Sequence, residues 1–179
     1  MQALERNLES EVSGMNWKEF ELLAEKAFLA FGWETIRNYR FKMPRMEVDL
    51  IAIKHDNAFC VDCKHWRRTV GEATMLRLAS QQIKRTQRVL DEMFNLTRAM
   101  PMLLTRYDEQ LFVLPNRVPV VPIARLQGFL QEWEGYLDRI YACKLPRPYG
   151  RGFGVSSGLH VAPSSPLQGV YRPPTRTSH

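Results

Sequence analysis

The sequence predicts an α/β domain in which helices sandwich a central mixed sheet. Three observations predict it. An apolar stripe recurs at helical spacing over 17–31. Three segments of strand character follow between 33 and 64. A long amphipathic stretch from about 70 to 95 then leads into short apolar runs.

The opening helix starts at Asn16, which with Glu19 makes a capping box. Trp17, Phe20, Ala24, Ala27, Phe28 and Phe31 form its apolar stripe, and Gly32 stops it. Residues 1–12 carry a weaker pattern that allows a further helix. Segments 33–42, 47–54 and 57–64 read as strands. The second puts Val48, Leu50 and Ala52 on one face and Asp49, Ile51 and Ile53 on the other. His55-Asp56 has the length and polarity of a tight turn, so the second and third segments form an antiparallel hairpin. Thr69 and Glu72 make a second capping box for the long helix, with Leu76, Ala79, Ile83, Leu90 and Phe94 as its stripe. Residues 101–105 and 110–114 read as short strands. Residues 118–123 are extended, but two prolines place them at an edge or in an irregular segment. A last helix spans about Ala124 to Arg139, with Leu126, Phe129, Leu130, Trp133 and Leu137 on its apolar side. From Leu145 onward Pro, Gly, Ser and Arg dominate without periodicity. Residues 1–144 therefore read as the domain and 145–179 as a flexible basic tail.

Composition narrows the function. With 45% hydrophobic and 25% charged residues in 179, the chain is not wholly disordered. No apolar run approaches the ~18 residues of a membrane span, and the acidic start MQALERNLESE does not read as a secretory signal. Three cysteines are too few for a disulfide scaffold and read as reduced thiols of a cytoplasmic protein. The net charge of +6 arises at the end of the chain. All acids lie at or before Asp138, whereas Arg139, Lys144, Arg147, Arg151, Arg172 and Arg176 follow it or stand beyond. Local clustering is more informative. Lys64, Arg67, Arg68, Arg77, Lys84, Arg85 and Arg88 face a single acid, Glu72, over 64–90. Arg37, Arg40, Lys42 and Arg45 face none over 37–45. Two basic segments flanking acids suit a polyanion-handling site, although each also reads as a solvated face.

Asp49 and Asp62 lie equally far on either side of the His55-Asp56 turn, so the hairpin brings them together. Strand alternation points Asp62 and Lys64 to one face and Val61 and Cys63 to the other. Two facing carboxylates repel unless a cation lies between them. A divalent ion such as Mg²⁺, which takes carboxylate, water and phosphate oxygens, suits the pair, and Lys64 could orient or deprotonate an attacking water. Asp62 and Lys64 also read as an ordinary exposed ion pair on an edge strand. Cys60 and Cys63 face opposite ways in a strand, which does not suit zinc or redox chemistry. His55 reads as a turn residue. His65 reads as a solvated strand end within reach of phosphate, and Trp66, Arg67 and Arg68 as a DNA-contacting rim or a core edge.

The array Asp49…Asp62-Cys63-Lys64 resembles the PD-(D/E)xK nuclease superfamily. Phe20-Glu21, eleven residues before Gly32-Trp33, resembles the opening helix of Mrr-type restriction endonucleases, and VDCKHW resembles their catalytic strand. Archaeal Holliday-junction resolvases share the same skeleton. The resemblance covers about residues 16–138. It implies a restriction-endonuclease-like α/β fold with a central mixed four-to-five-stranded sheet flanked by helices. It also implies Mg²⁺ (or Mn²⁺) on Asp49, Asp62 and the Cys63 backbone carbonyl, Lys64 as catalytic lysine, and Glu21 supporting the metal or its water, with Glu25 as second choice. A glutamine on the following helix is Gln81 or, nearer the buried side, Gln82. The sequence departs from the family in having Glu47-Val48 before the first acid. The function so implied is a metal-dependent DNA endonuclease, a homodimer if both strands are cut. The alternatives are a structure-specific, resolvase-like nuclease and a catalytically silent nucleic-acid-binding module.

Overall fold

The computed structural model describes residues 14–65, 70–106 and 112–145. The expected helix over 1–12, the Trp66–Arg68 rim, Thr69 and all but the first residue of the basic tail lie outside them.

Helix α1 (Trp17–Ala30) begins as its sequence demands. The Asn16 side chain accepts from the Lys18 and Glu19 backbone N–H groups, and Glu19 accepts from the Asn16 N–H at 2.7 Å. Gly32 follows with φ +73°, a left-handed conformation that favours glycine. Phe20, Ala24 and Phe28 are buried, and so is Glu21. Trp17 is 54% exposed, contrary to its place in the expected stripe. It occupies the first turn, before the buried face begins at Phe20.

Strands β1 (Glu34–Phe41), β2 (Met46–Lys54) and β3 (Asn57–Lys64) form an antiparallel meander, with His55 left-handed (φ 57°) in the two-residue β2–β3 turn. Helix α2 (Glu72–Glu92) crosses to β4 (Arg98–Thr105), which pairs parallel with β3. Strands β5 (Phe112–Val113) and β6 (Pro119–Pro122) precede helix α3 (Ile123–Gln131). A 3-10 turn (Trp133–Tyr136) and β7 (Cys143–Lys144) complete the described residues. The sheet order is β1-β2-β3-β4-β6-β5, with β7 also on β4. Among the described residues it has seven strands where four to five were expected, because two-residue ladders at β5 and β7 extend it.

Four further expectations differ in detail. Segment 119–122 is not at an edge: β6 lies between β4 and β5. Its prolines occupy the first and last positions of the strand, where they disturb the ladders least. The last helix ends at Gln131, and the chain turns so that Trp133 enters the aromatic core, 5.1 Å from Trp33. Helix α2 is capped at Gly71 without a side-chain bond. Its buried face is Met75, Ala79, Gln82, Thr86, Val89 and Leu90, while Leu76 and Ile83 are half-buried and Phe94 is exposed beyond the helix end. An apolar tally misplaced that face because two of its residues are polar.

Helices α1 and α3 cover one side of the sheet around Phe59, Trp33, Met102 and Val61. Helix α2 covers the other, over Ile51, Cys60 and Ala99 toward one end and Leu103 and Val120 toward the other. The β1–β2 hairpin changes sides partway. Leu50 and Ala52 pack under α1, but Val48 packs with the α2-side core, as does Tyr39. Asn38, left-handed at φ 52°, marks the reversal in β1, and Asp49 marks it in β2. Val48 therefore does not share a face with Leu50 as regular alternation required.

Candidate active site

The paired residues of β2 and β3 end at Leu50 and Val61, which leaves the Cys63 N–H beyond the ladder. The Asp49 carboxylate accepts that N–H at 2.8 Å, so the side chain continues what the backbone pairing began. Next along β3, Asp62 is 5% exposed and turned toward α2. Lys64 Nζ lies 2.8 Å from Asp62 Oδ2, and Arg85 NH1 of α2 lies 3.6 Å from Oδ1. Val61 and Cys63 pack on the α1 side.

Burial pushes the Asp49 pKa up to about 6, and the nearby charge of Asp62 adds to the rise. The Cys63 N–H, Lys64 and Arg85 oppose it. Glu21 faces this region from α1. Burial raises its pKa to about 7, aided by the charges of Asp49 and then Glu47, against Arg37 and Lys18. Asp49 thus stands electrostatically between Glu21 and Asp62. Negative charge is in excess on this side of the site, and Asp49 and Glu21 each hold a proton more tightly than usual.

Asp49, Asp62 and Lys64 come together with the Cys63 backbone. Gln82 stands behind them: wholly buried, it donates from Nε2 to the Cys60 carbonyl at 2.9 Å and accepts from Arg85 NH1 at 3.2 Å. Gln81 is exposed. Glu25 is engaged elsewhere, 2.9 Å from Arg37 and bonded by the Thr35 hydroxyl. Cys60 lies in the α2-side core, where burial pushes its thiol up to about 12. His65 follows Lys64, stands edge-on to Phe20 and lies 2.6 Å from Arg106 NH1.

Two residues were not read as part of the site itself, although Arg85 stood in a basic segment. Arg85 follows Gln82 by three positions, hence on one helix face, and that spacing was the available signal. Arg106 directly follows β4 as His65 follows β3, a match visible only once the parallel register is known. The basic segments are also less cationic than they read, because Arg37, Arg40 and Arg88 pair with Glu25, Glu47 and Glu92. Lys42, Arg45, Arg77 and Lys84 are exposed.

Among the described residues no three acids, histidines or cysteines converge closely enough to cage an ion. The donors are nevertheless of one kind. Asp49 and Asp62 are neighbouring carboxylates that repel one another, and Asp62 Oδ2 touches Lys64 without a well-formed hydrogen bond. Such oxygens suit a hard divalent ion that takes the rest of its shell from water or phosphate.

Residues 12–90 match a family model described as restriction endonuclease, of the Mrr catalytic type. The match runs from before α1 into the last turns of α2 and contains Glu21, Asp49, Asp62, Lys64, Gln82 and Arg85. A search of curated proteins gives no match. Among solved structures, the chain is similar to the small subunit (R.BspD6I2) of the heterodimeric restriction endonuclease R.BspD6I, at 13% identity and TM-score 0.46, over 79% of this chain and 82% of that one. It is also similar to a protein of unknown function, AF1548, at 15% identity and TM-score 0.39, over 52% of this chain. The chain spans about half of that protein's length, 50%. The family match runs over less than half of the chain and marks that segment as similar to a restriction endonuclease; the α/β sandwich is the fold of the described residues. Among the described residues no helix is long and apolar enough to cross a membrane.

Proposed function

We propose that the chain is a divalent-metal-dependent DNA endonuclease that hydrolyses phosphodiester bonds by in-line attack of water. The observation that carries this reading is the Lys64 ammonium 2.8 Å from buried Asp62, on the strand whose backbone also fixes Asp49. Asp49 and Asp62 would hold Mg²⁺ or Mn²⁺ with the Cys63 carbonyl, and Glu21 would support the ion or its water from α1. A divalent ion held there would supply Lewis acidity for the scissile phosphate and for a bound water. Lys64, as an ammonium, orients the attacking water, whose proton leaves to solvent, and its charge faces the one that develops on the phosphate. Asp62 keeps Lys64 in place, the Cys63 N–H fixes the Asp49 rotamer, and Gln82 braces β3 through Cys60.

Residues 145–179 hold DNA by its phosphates as a basic appendage to the domain. Cleavage of both strands is the work of a homodimer, and the cytoplasm is the compartment that suits three thiols. The second reading, a catalytically silent nucleic-acid-binding module, draws support from one observation: both Asp62 oxygens already face cations.

Cleavage of plasmid and branched DNA with Mg²⁺, Mn²⁺ or EDTA tests the proposal. Asp62→Ala and Lys64→Ala are expected to lose about 10²–10⁴ of the rate. Metal-dependent cleavage that persists in both variants removes these residues from the mechanism. Binding without cleavage in the unmodified chain favours the silent module, and a preference for branched DNA favours the resolvase-like alternative.

A further inference from the structure

Arg85 reaches the site from the helix rather than from the sheet. Gln82 aims it. The amide of Gln82 is fully buried and its Nε2 is committed to the Cys60 carbonyl, so its oxygen is left facing the Arg85 guanidinium. NH1 of Arg85 lies between that oxygen at 3.2 Å and Asp62 Oδ1 at 3.6 Å, while Lys64 occupies Oδ2. Each oxygen of Asp62 thus faces its own cation. The two carboxylates, Asp49 and Asp62, are opposed by two positive charges without any ion present. A divalent ion that enters must compete with a guanidinium for Asp62. The Arg85 side chain is 27% exposed, so it has a solvent side from which a phosphate can reach it. Arginine binds phosphate in the same forked manner as carboxylate.

We propose that Arg85 is a positioning residue that holds the Asp62 carboxylate in the metal-free chain and competes with the divalent ion for it. The ion therefore binds weakly until a nucleic-acid phosphate draws the guanidinium away. The proposal rests on the nuclease reading of the same site. It adds that metal and nucleic acid bind cooperatively, each raising the affinity for the other by an equal factor.

Calorimetric titration of Mn²⁺ and Mg²⁺ into the full chain tests it, with and without a phosphorothioate duplex that resists cleavage. Arg85→Gln is expected to bind the ion about threefold to fivefold more tightly than the unmodified chain when DNA is absent, the span of a partly exposed ion pair. Arg85→Lys, which keeps the charge, should stay near the unmodified chain. The duplex should raise the ion affinity of the unmodified chain and raise that of Arg85→Gln less. That comparison in the unmodified chain stands even where a variant does not fold. Equal ion affinity with and without duplex, or weaker binding by a folded Arg85→Gln, overturns the role of Arg85 while leaving the nuclease reading intact. Absence of ion binding to every form, with and without DNA, overturns the nuclease reading and this proposal with it.

Discussion

The Asp49 carboxylate stands in for a backbone carbonyl: it accepts the Cys63 N–H at 2.8 Å where the β2–β3 ladder has stopped. This bond ties the first acid to the strand that carries the second. It also separates two roles of Asp49, hydrogen-bond acceptor and negative charge, which substitution can test one at a time.

Asp49→Asn keeps an oxygen for the Cys63 N–H and removes the charge that Asp62 opposes. The metal-free variant should match or exceed the unmodified chain in thermal stability at pH 8, and it should lose the stabilisation that Mg²⁺ confers. Asp49→Ala, which also strands the N–H, should be less stable than Asp49→Asn by about 1–2 kcal/mol. Thermal unfolding with and without Mg²⁺ reads both; equal stabilisation of Asp49→Asn by Mg²⁺ would sink the assignment.

Glu21 has a folded pKa of about 7 against an ordinary 4.5, raised chiefly by burial. The folded chain therefore binds this proton more tightly than the unfolded chain. Its contribution favours folding most below the unfolded value, declines as pH rises from about 4.5, and levels off above about 7. Asp49 acts in the same direction between 3.8 and about 6. Metal-free stability should fall from pH 5 to pH 8, and Glu21→Gln should flatten the upper part of that fall. Urea unfolding at several pH values measures it; a slope unaltered in Glu21→Gln assigns the fall to other groups.

Gln82→Leu fills similar space but leaves the Cys60 carbonyl and the Arg85 guanidinium without their amide partner. We expect a loss of about 1–3 kcal/mol in denaturant unfolding. Cleavage should also drop more than the stability loss accounts for, because Arg85 and Asp62 lose their support.

Phe59 packs at a tilt against Trp33 and edge-on against Phe129 and Trp133, at 5.3, 5.5 and 6.0 Å between ring centroids. Phe59→Ala should cost about 3–5 kcal/mol and shift the urea midpoint accordingly. A loss under ~1 kcal/mol would mean that this cluster does not hold α3 and the 3-10 turn to the sheet.

Truncation after Lys144 removes four arginines, Arg147, Arg151, Arg172 and Arg176. If they neutralise phosphates, the slope of log affinity against log salt should become shallower by up to about 0.9 for each phosphate left without its arginine. Fluorescence anisotropy over a salt series checks it, and an unchanged slope would show that the tail does not anchor DNA.

The helix cap at Asn16, the two-residue turn at His55-Asp56 and the β2–β3 register were legible because each depends on neighbours a few residues away. The polar face of α2 was legible only in part: Gln82 read as nearer the buried side, whereas Thr86 did not. Gln82 and Thr86 are buried because β3 presents the Cys60 carbonyl and thiol to them, and no apolar count anticipates a partner 22 residues distant. The switch of Val48 to the α2 side was hidden for a similar reason: it follows from a left-handed Asn38 on the neighbouring strand.

By itself the sequence determined which residues could do chemistry here: a lysine two positions after one acid, a second acid at the matching distance across a turn, and a glutamate on the preceding helix. Local spacing is enough for that, since strand alternation and helix pitch are properties of the backbone alone. Only the tertiary structure decided how those charges are balanced. It brought Arg85 onto Asp62 and Arg37 onto Glu25 by charge, and His65 against Arg106 by a hydrogen bond, because such pairing acts across space between elements whose order in the chain says nothing about which side chains meet.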